Sequence, residues 1–185
     1  MALQEDPRQN MRIISKPDKS EYPEYAEMYM KLLPDDGLIL SHLKSNVQVV
    51  KDFINSLSPD KLLYRYEKDK WTIKEILVHI IDDERIFSYR AMSFARNEKR
   101  SMPGFDQDNY TQWSGANERD LVNIFEEYEA VRQATIALFN GLPEESLLRM
   151  GTGSSLEHRA TVRALAYHIA GHELRHLNII RERYL

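Results

Sequence analysis

Four long stretches of this chain carry apolar residues at intervals of three and four, and this helical periodicity limits the folds available to it. The stretches cover residues 37–57, 72–97, 117–141 and 161–185. No segment shows the clear alternation of apolar and polar residues that is typical of a strand, and no internal repeat occurs. Helices with one apolar face bury that face against one another. The pattern therefore predicts an all-α four-helix bundle.

Capping residues mark the beginnings of the predicted helices. Thr72 and Glu75 form a capping box, in which each side chain accepts a hydrogen bond from the other residue's backbone N–H. The other three helices follow residue types that commonly cap an N-terminus, namely Asp35 or Asp36, Asn117 and Thr161.

The remaining segments are expected to be irregular or short. Residues 1–20 are polar and contain prolines, which predicts an extended or frayed arm before a single domain over residues 21–185. Residues 21–33 predict a short amphipathic helix, which could pack on its own bundle or on a second copy, so a homodimer remains open. Residues 98–116 predict a long loop, and residues 144–160 an irregular connection.

Composition excludes several kinds of site and partner. The chain of 185 residues has no cysteine, so only imidazole and carboxylate groups are available to bind a metal. The net charge of −4 and the scattered basic residues argue against nucleic-acid binding. No apolar run reaches the length of a signal peptide core or a membrane span, so we expect a cytoplasmic protein that acts on small molecules.

Three of the six histidines lie four residues apart on the last predicted helix, at His168, His172 and His176. Neighbours in this row are separated by about 6 Å along the helix and can bind one metal ion, whereas the outer two are about 12 Å apart and cannot. The apolar arc of the helix includes His176, has His172 at its flank and His168 near its edge. We therefore expect His172 and His176 to bind the metal, with His168 outside the ligand set.

Glu173 lies inside the same apolar arc, where an isolated carboxylate is too costly to bury. It is expected to orient an imidazole, to pair with a basic side chain or to act as a base. Residues 172–176 also spell H-E-x-x-H, the signature of zinc peptidases. Those peptidases need a further ligand downstream, but only nine residues follow His176, so the missing ligand is expected upstream.

The upstream histidines are His42, His79 and His158. His79 is distinguished by Asp82 and Asp83, which lie about one helical turn further on and can accept an imidazole N–H or bind the metal themselves. Glu84 lies on the apolar face of the same helix. One interpretation of His79 is a core histidine with a local aspartate partner. The other is that His79, together with His172 and His176, makes a three-nitrogen site with open coordination positions.

Three segments, taken in order and at this spacing, resemble the DinB superfamily of four-helix-bundle metalloenzymes, which includes the bacillithiol S-transferase type. The segments are Trp71–Arg90, Gly104–Tyr110 and Tyr167–His176. The resemblance covers the chain from about residue 21. It implies a divalent metal, often nickel or zinc, bound by one histidine of the second helix and two of the last. Those positions correspond here to His79, His172 and His176.

The resemblance also implies a reaction. Its characterised members use low-molecular-weight thiols, and a divalent cation can lower the pKa of a thiol to make a nucleophile. We therefore expect a metal-dependent enzyme that transfers a thiol co-substrate to an electrophilic small molecule. The alternatives are a hydrolase using metal-bound hydroxide, with Glu173 or Asp82 moving protons, and a non-catalytic metal-binding bundle.

Overall fold

A computed structural model describes residues 11–185, so the first half of the predicted N-terminal arm lies outside the described residues. The helices are α1 (Glu27–Met30), α2 (Ile39–Asn55), α3 (Pro59–Leu62), α4 (Ile73–Ala95), α5 (Gln107–Gln112), α6 (Leu121–Gly141) and α7 (Val162–Arg183). Two short strands are β1 (Met150–Thr152) and β2 (Arg159–Thr161).

The four long helices α2, α4, α6 and α7 form the predicted bundle. Helix α4 packs against α7 and α6, and α2 packs against the same two helices. The long helices α2 and α4 follow one another in the chain but therefore occupy opposite corners of the bundle. None of the helices in the described residues is long and apolar enough to cross a membrane.

The capping box at the start of α4 is confirmed. The backbone N–H of Glu75 donates to Oγ1 of Thr72 over 3.1 Å, and that of Thr72 donates to the Glu75 carboxylate over 2.7 Å. The predicted cap of α7 is also confirmed, because Thr161 Oγ1 accepts a hydrogen bond from the backbone of Ala164.

Two other predicted caps are wrong. Helix α2 begins after Leu38, and Asp36 instead accepts a hydrogen bond from the Leu38 backbone two residues further on. Helix α6 begins after Asp120, and the Asn117 side chain instead bridges Thr72 and Glu75 at the start of α4.

The segment before the bundle is less helical than predicted and packs on its own chain. Only α1 is α-helical between residues 21 and 33, after 3-10 turns and an extended Pro23. A Cβ placed at Gly171 of α7 would lie 2.6 Å from the carbonyl oxygen of Tyr29, so the two backbones touch. Further upstream, Ile14 is extended and buried against the bundle.

Two connections contain structure that the pattern did not predict. The long loop includes α5, which Asp106 caps. Strands β1 and β2 form an antiparallel hairpin in which Met150 pairs with Thr161. Each strand has three residues, which is too short for an alternating pattern to be recognised.

The core consists of two apolar clusters separated by a polar layer. One cluster contains Leu43, Phe87, Phe139 and Leu165, and the other contains Val50, Ile80, Ile124 and Leu177. Each long helix contributes a polar side chain between them, namely Asn46, Glu84, Arg132 and Glu173. This layer lies at the level of the histidines on α4 and α7.

Candidate metal centre

His79 of α4 and His172 and His176 of α7 converge between these two helices, as the sequence predicted. Nε2 of His172 lies 3.1 Å from Nε2 of His79 and 3.1 Å from Nε2 of His176. One nitrogen from each of the three rings lies within 4.8 Å of the others. The spacing of four on α7 puts two rings one above the other, and packing of α4 on α7 supplies the third.

Two of the three separations between these nitrogens fit a single metal ion. Imidazole nitrogens bind zinc at about 2.0–2.1 Å, and two such nitrogens are about 3.0 Å apart at a right angle and about 3.4 Å apart at a tetrahedral angle. The observed 3.1 Å separations lie in this range. An all-imidazole set suits zinc, nickel, copper and iron, and three ligands leave coordination positions open.

Burial keeps the three imidazoles in the neutral form that binds metal. It lowers the pKa of His79 to about 3 and that of His176 to about 4, and the charge of the neighbouring ring adds to the effect at His79. Burial also lowers the pKa of His172 well below its usual value, although Asp83 opposes the shift. Protons therefore compete weakly with a cation for this site.

Asp83 is the carboxylate that contacts the cluster. Its carboxylate lies 3.3 Å from Nδ1 of His172 and 3.5 Å from Nε2 of His168. Burial opposes ionisation of Asp83, but these imidazoles outweigh it and lower the pKa of the carboxyl group. A carboxylate on Nδ1 fixes the tautomer in which Nε2 presents its lone pair.

The predicted order of burial along α7 is wrong, although the predicted ligand pair is the one that converges with His79. His168 is buried and His176 is only partly buried. The ring of His168 stacks on Phe87 at 3.7 Å and meets the edge of Tyr29. Phe87 and Tyr29, which shield His168 from solvent, lie outside α7. The apolar arc of α7 alone therefore could not predict that His168 is buried.

Within residues 11–185, the two carboxylates predicted to move protons form no hydrogen bond or ion pair with the three histidines. Glu173 is fully buried, and its carboxylate accepts hydrogen bonds from Arg132, Tyr128 and Asn46. This is the pairing with a basic side chain that the sequence left open. Asp82 is half-buried, lies 3.8 Å from the Arg85 guanidinium and has a pKa raised by burial.

Arg132 is a buried group that sequence reasoning missed. Its guanidinium pairs with Glu84 as well as Glu173, and its Nη1 donates to the carbonyl of Leu43. The sequence does indicate that Arg132 is buried, because it lies four residues after Tyr128 on the apolar face of α6. The remaining histidines lie elsewhere, with His42 beside Asp36 and His158 beside Ser154.

Two separate cavities border the cluster, one lined by His172 and the other by His176. The Arg90 cavity, of about 250 Å³, is lined among others by Tyr25, Tyr29, Asp83, Phe87, Arg90 and His172. The Trp71 cavity, of about 950 Å³, is lined among others by Arg65, Trp71, Asp108, Thr111, His176 and Tyr184. No residue of the described range 11–185 lines both.

The wall between the Trp71 cavity and the histidines is aromatic. Trp71 packs on His79 at 4.7 Å and stacks parallel to His176 at 6.3 Å. Nδ1 of His176 and Oγ1 of Thr111 are buried and have no hydrogen-bond partner among residues 11–185. Unpaired buried polar atoms are costly, and both atoms are shielded from solvent.

The fold and the site together define a four-helix-bundle protein with a three-histidine cluster suited to a divalent metal. A sequence profile of the DinB superfamily matches residues 42–180, which is most of the chain. The protein therefore belongs to the DinB superfamily.

The fold is similar to that of YfiT from Bacillus subtilis, described as a probable metal-dependent hydrolase with an unusual four-helix bundle topology. The TM-score is 0.69 at 15% identity, and the match covers 90% of each chain. Curated protein sequences gave no match.

Proposed function

We propose that this protein is a metal-dependent enzyme that transfers a low-molecular-weight thiol to an electrophilic small molecule. The observation that supports this proposal is a pair of separate cavities, one lined by His172 and the other by His176 of one three-histidine cluster. A transfer reaction has two organic substrates, whereas a hydrolase needs one cavity and water. His79, His172 and His176 are the proposed ligands, for nickel or zinc.

A divalent cation bound there supplies Lewis-acid chemistry that lowers the pKa of a thiol or a water molecule. The chain's own residues orient and shield the reacting groups. The carboxylate of Asp83 lies 3.3 Å from Nδ1 of His172, where it favours a proton on Nδ1 and leaves Nε2 free for the metal. Trp71 packs on two of the rings and keeps water from their faces.

The two cavities suit different substrates. The Trp71 cavity is the larger, and charged residues such as Arg65, Lys70 and Asp108 line it, which suits the hydrophilic tail of a thiol. The Arg90 cavity is lined by several tyrosine and phenylalanine rings as well as by Arg90 and Asp83, which suits an electrophile with an aromatic or apolar body. The bacillithiol type of transfer, implied by the resemblance, is one form of this reaction.

Hydrolysis is the second candidate, and the description of YfiT favours it. It requires a group that removes a proton from water, for which Glu173 and Asp82 were predicted. The ion pair of Glu173 with Arg132 supports a structural role for that residue instead. Glu173→Gln and Asp82→Asn variants that keep full turnover would exclude both residues as the base.

The experiment uses tag-free protein of known metal content. Glutathione, bacillithiol and coenzyme A are each supplied with monochlorobimane, and model esters are supplied without a thiol. The transferase proposal predicts metal-dependent consumption of thiol, lost in His79→Ala and kept in His42→Ala, a histidine outside the cluster. Metal-dependent ester hydrolysis without thiol consumption would favour the hydrolase and contradict thiol transfer.

A further inference from the structure

Arg90 of α4 is a buried cation that pairs with no carboxylate among residues 11–185. The residue is 9% exposed, donates one hydrogen bond over 2.8 Å to the carbonyl of Pro103, and lies 4.8 Å from the ring centre of Phe87. Among residues 11–185 it forms no ion pair. Burial lowers its pKa, which is the response expected of a charge removed from water. A buried guanidinium without a carboxylate is costly, and a bound anion would remove that cost.

The cavity beside Arg90 has room for such an anion. Its volume is about 250 Å³, and most of its lining is apolar or aromatic, including Tyr25, Tyr29, Phe87 and Phe105. Apart from its histidines, its charged lining residues are Arg90 and Asp83. Asp83 lies 3.3 Å from His172 and 3.5 Å from His168 and forms no ion pair with the guanidinium among residues 11–185, although its charge favours the Arg90 cation.

The chemistry of the ligand follows from this lining. The planar fork of an arginine donates two parallel hydrogen bonds to a carboxylate or a phosphate. One guanidinium matches a single negative charge, and the carboxylate of Asp83 in the same cavity disfavours a phosphate dianion. The aromatic lining suits an apolar body behind the charged group.

We propose that the Arg90 cavity binds a monoanionic carboxylate attached to an aromatic or apolar body, with Arg90 as the group that recognises the carboxylate. Under the proposed function, on which this part rests, the carboxylate belongs to the electrophilic substrate. Arg90 then fixes the position of that substrate on the Asp83 side of the histidine cluster. Binding of the carboxylate itself needs no metal.

The test is a fluorine NMR titration of the full chain with 4-fluorobenzoate and its neutral analogue 4-fluorobenzamide. Metal is removed with a chelator and its absence verified, so that a carboxylate cannot bind to a cation instead. Arg90→Gln removes the guanidinium. Arg96→Gln makes the same change at an exposed position immediately after the same helix.

The proposal predicts that the acid binds about tenfold or more tightly than the amide, as expected for a charge-assisted hydrogen-bonded pair. Arg90→Gln should weaken binding of the acid about tenfold and leave the amide unchanged, and Arg96→Gln should match the parent protein. Equal affinities of the acid and the amide, or an acid affinity that survives Arg90→Gln, would overturn it. Arg90-dependent displacement of the acid by inorganic phosphate would also overturn it.

Two further measurements cover the cases in which Arg90→Gln does not fold or the protein does not bind metal. If Arg90→Gln does not fold, the comparison of acid with amide in the parent protein decides, together with Arg90→Lys, which keeps the charge but loses the fork and should weaken the acid. A parallel sample is titrated with nickel and zinc. Failure to bind metal there contradicts the proposed function, whereas failure to bind the acid contradicts only the role of Arg90.

Discussion

Replacement of Arg132 by methionine tests the polar layer that divides the core. Arg132 is 1% exposed, and its guanidinium donates to Glu84 over 2.9 Å and to Glu173. Methionine fills much of the same volume but leaves two buried carboxylates without their cation. Breaking a buried ion pair by removing one partner costs about 3–5 kcal/mol.

This cost corresponds to a fall in Tm of about 6–20 °C, because 1 kcal/mol shifts Tm by about 2–4 °C in a chain of this size. The measurement is calorimetry of metal-free protein. Arg85→Met is the matched control, since Arg85 pairs with Glu127 at a partly exposed position where an ion pair contributes about 0–1 kcal/mol.

The pH dependence gives a second check on Arg132→Met. Burial raises the pKa of Glu84, and Arg132 opposes that shift, so loss of Arg132 raises this pKa further. The folded variant then holds a proton that the unfolded chain releases, and its stability falls as pH rises above the unfolded value of 4.5. The deficit relative to the parent should be smaller near pH 5 than near pH 8. A Tm change no larger than that of Arg85→Met, or a deficit that grows on acidification, would refute the reasoning.

Two further substitutions test the surroundings of the metal centre. Asp83→Asn should weaken metal affinity about 10–100-fold in a chelator competition, because it removes the carboxylate on Nδ1 of His172, and an unchanged affinity would show that this contact does not matter. Gly171→Ala should lower Tm by about 2–12 °C in a calorimetric scan, since overpacking costs about 1–3 kcal/mol and the new Cβ would lie 2.6 Å from the Tyr29 carbonyl. Gly141→Ala, whose Cβ would meet no atom within 4 Å, is the control, and an equal loss in both would contradict the packing argument.

The bundle was predictable because its four long helices are amphipathic over many turns, and two of their caps use local side-chain chemistry. Thr72 with Glu75 is the clearest case, since a capping box depends only on residues three apart. Asn117 failed as a cap because its side chain bridges to α4, a contact that no local pattern contains.

The histidine cluster was predictable in part, because local helical spacing accounts for two of its three members. His172 and His176 meet through helical spacing, whereas His79 required the resemblance or an assumption about packing. Asp82 and Asp83 both follow His79 by about one turn, and only the packing of α7 distinguishes the carboxylate that contacts His172. The proton-handling roles of Glu173 and Asp82 remain predictions.

The most direct test of the central claim is metal stoichiometry in tag-free protein. The chain is equilibrated with micromolar nickel or zinc, freed of unbound metal and measured by mass spectrometry. We predict one ion per chain in the parent and almost none in His79→Ala and His176→Ala. His168→Ala should keep about one ion, because His168 lies on the same helix as His176 but contacts Asp83 and is outside the proposed ligand set. Equal losses in His168→Ala and His176→Ala, or no bound ion in the parent, would contradict the three-histidine site.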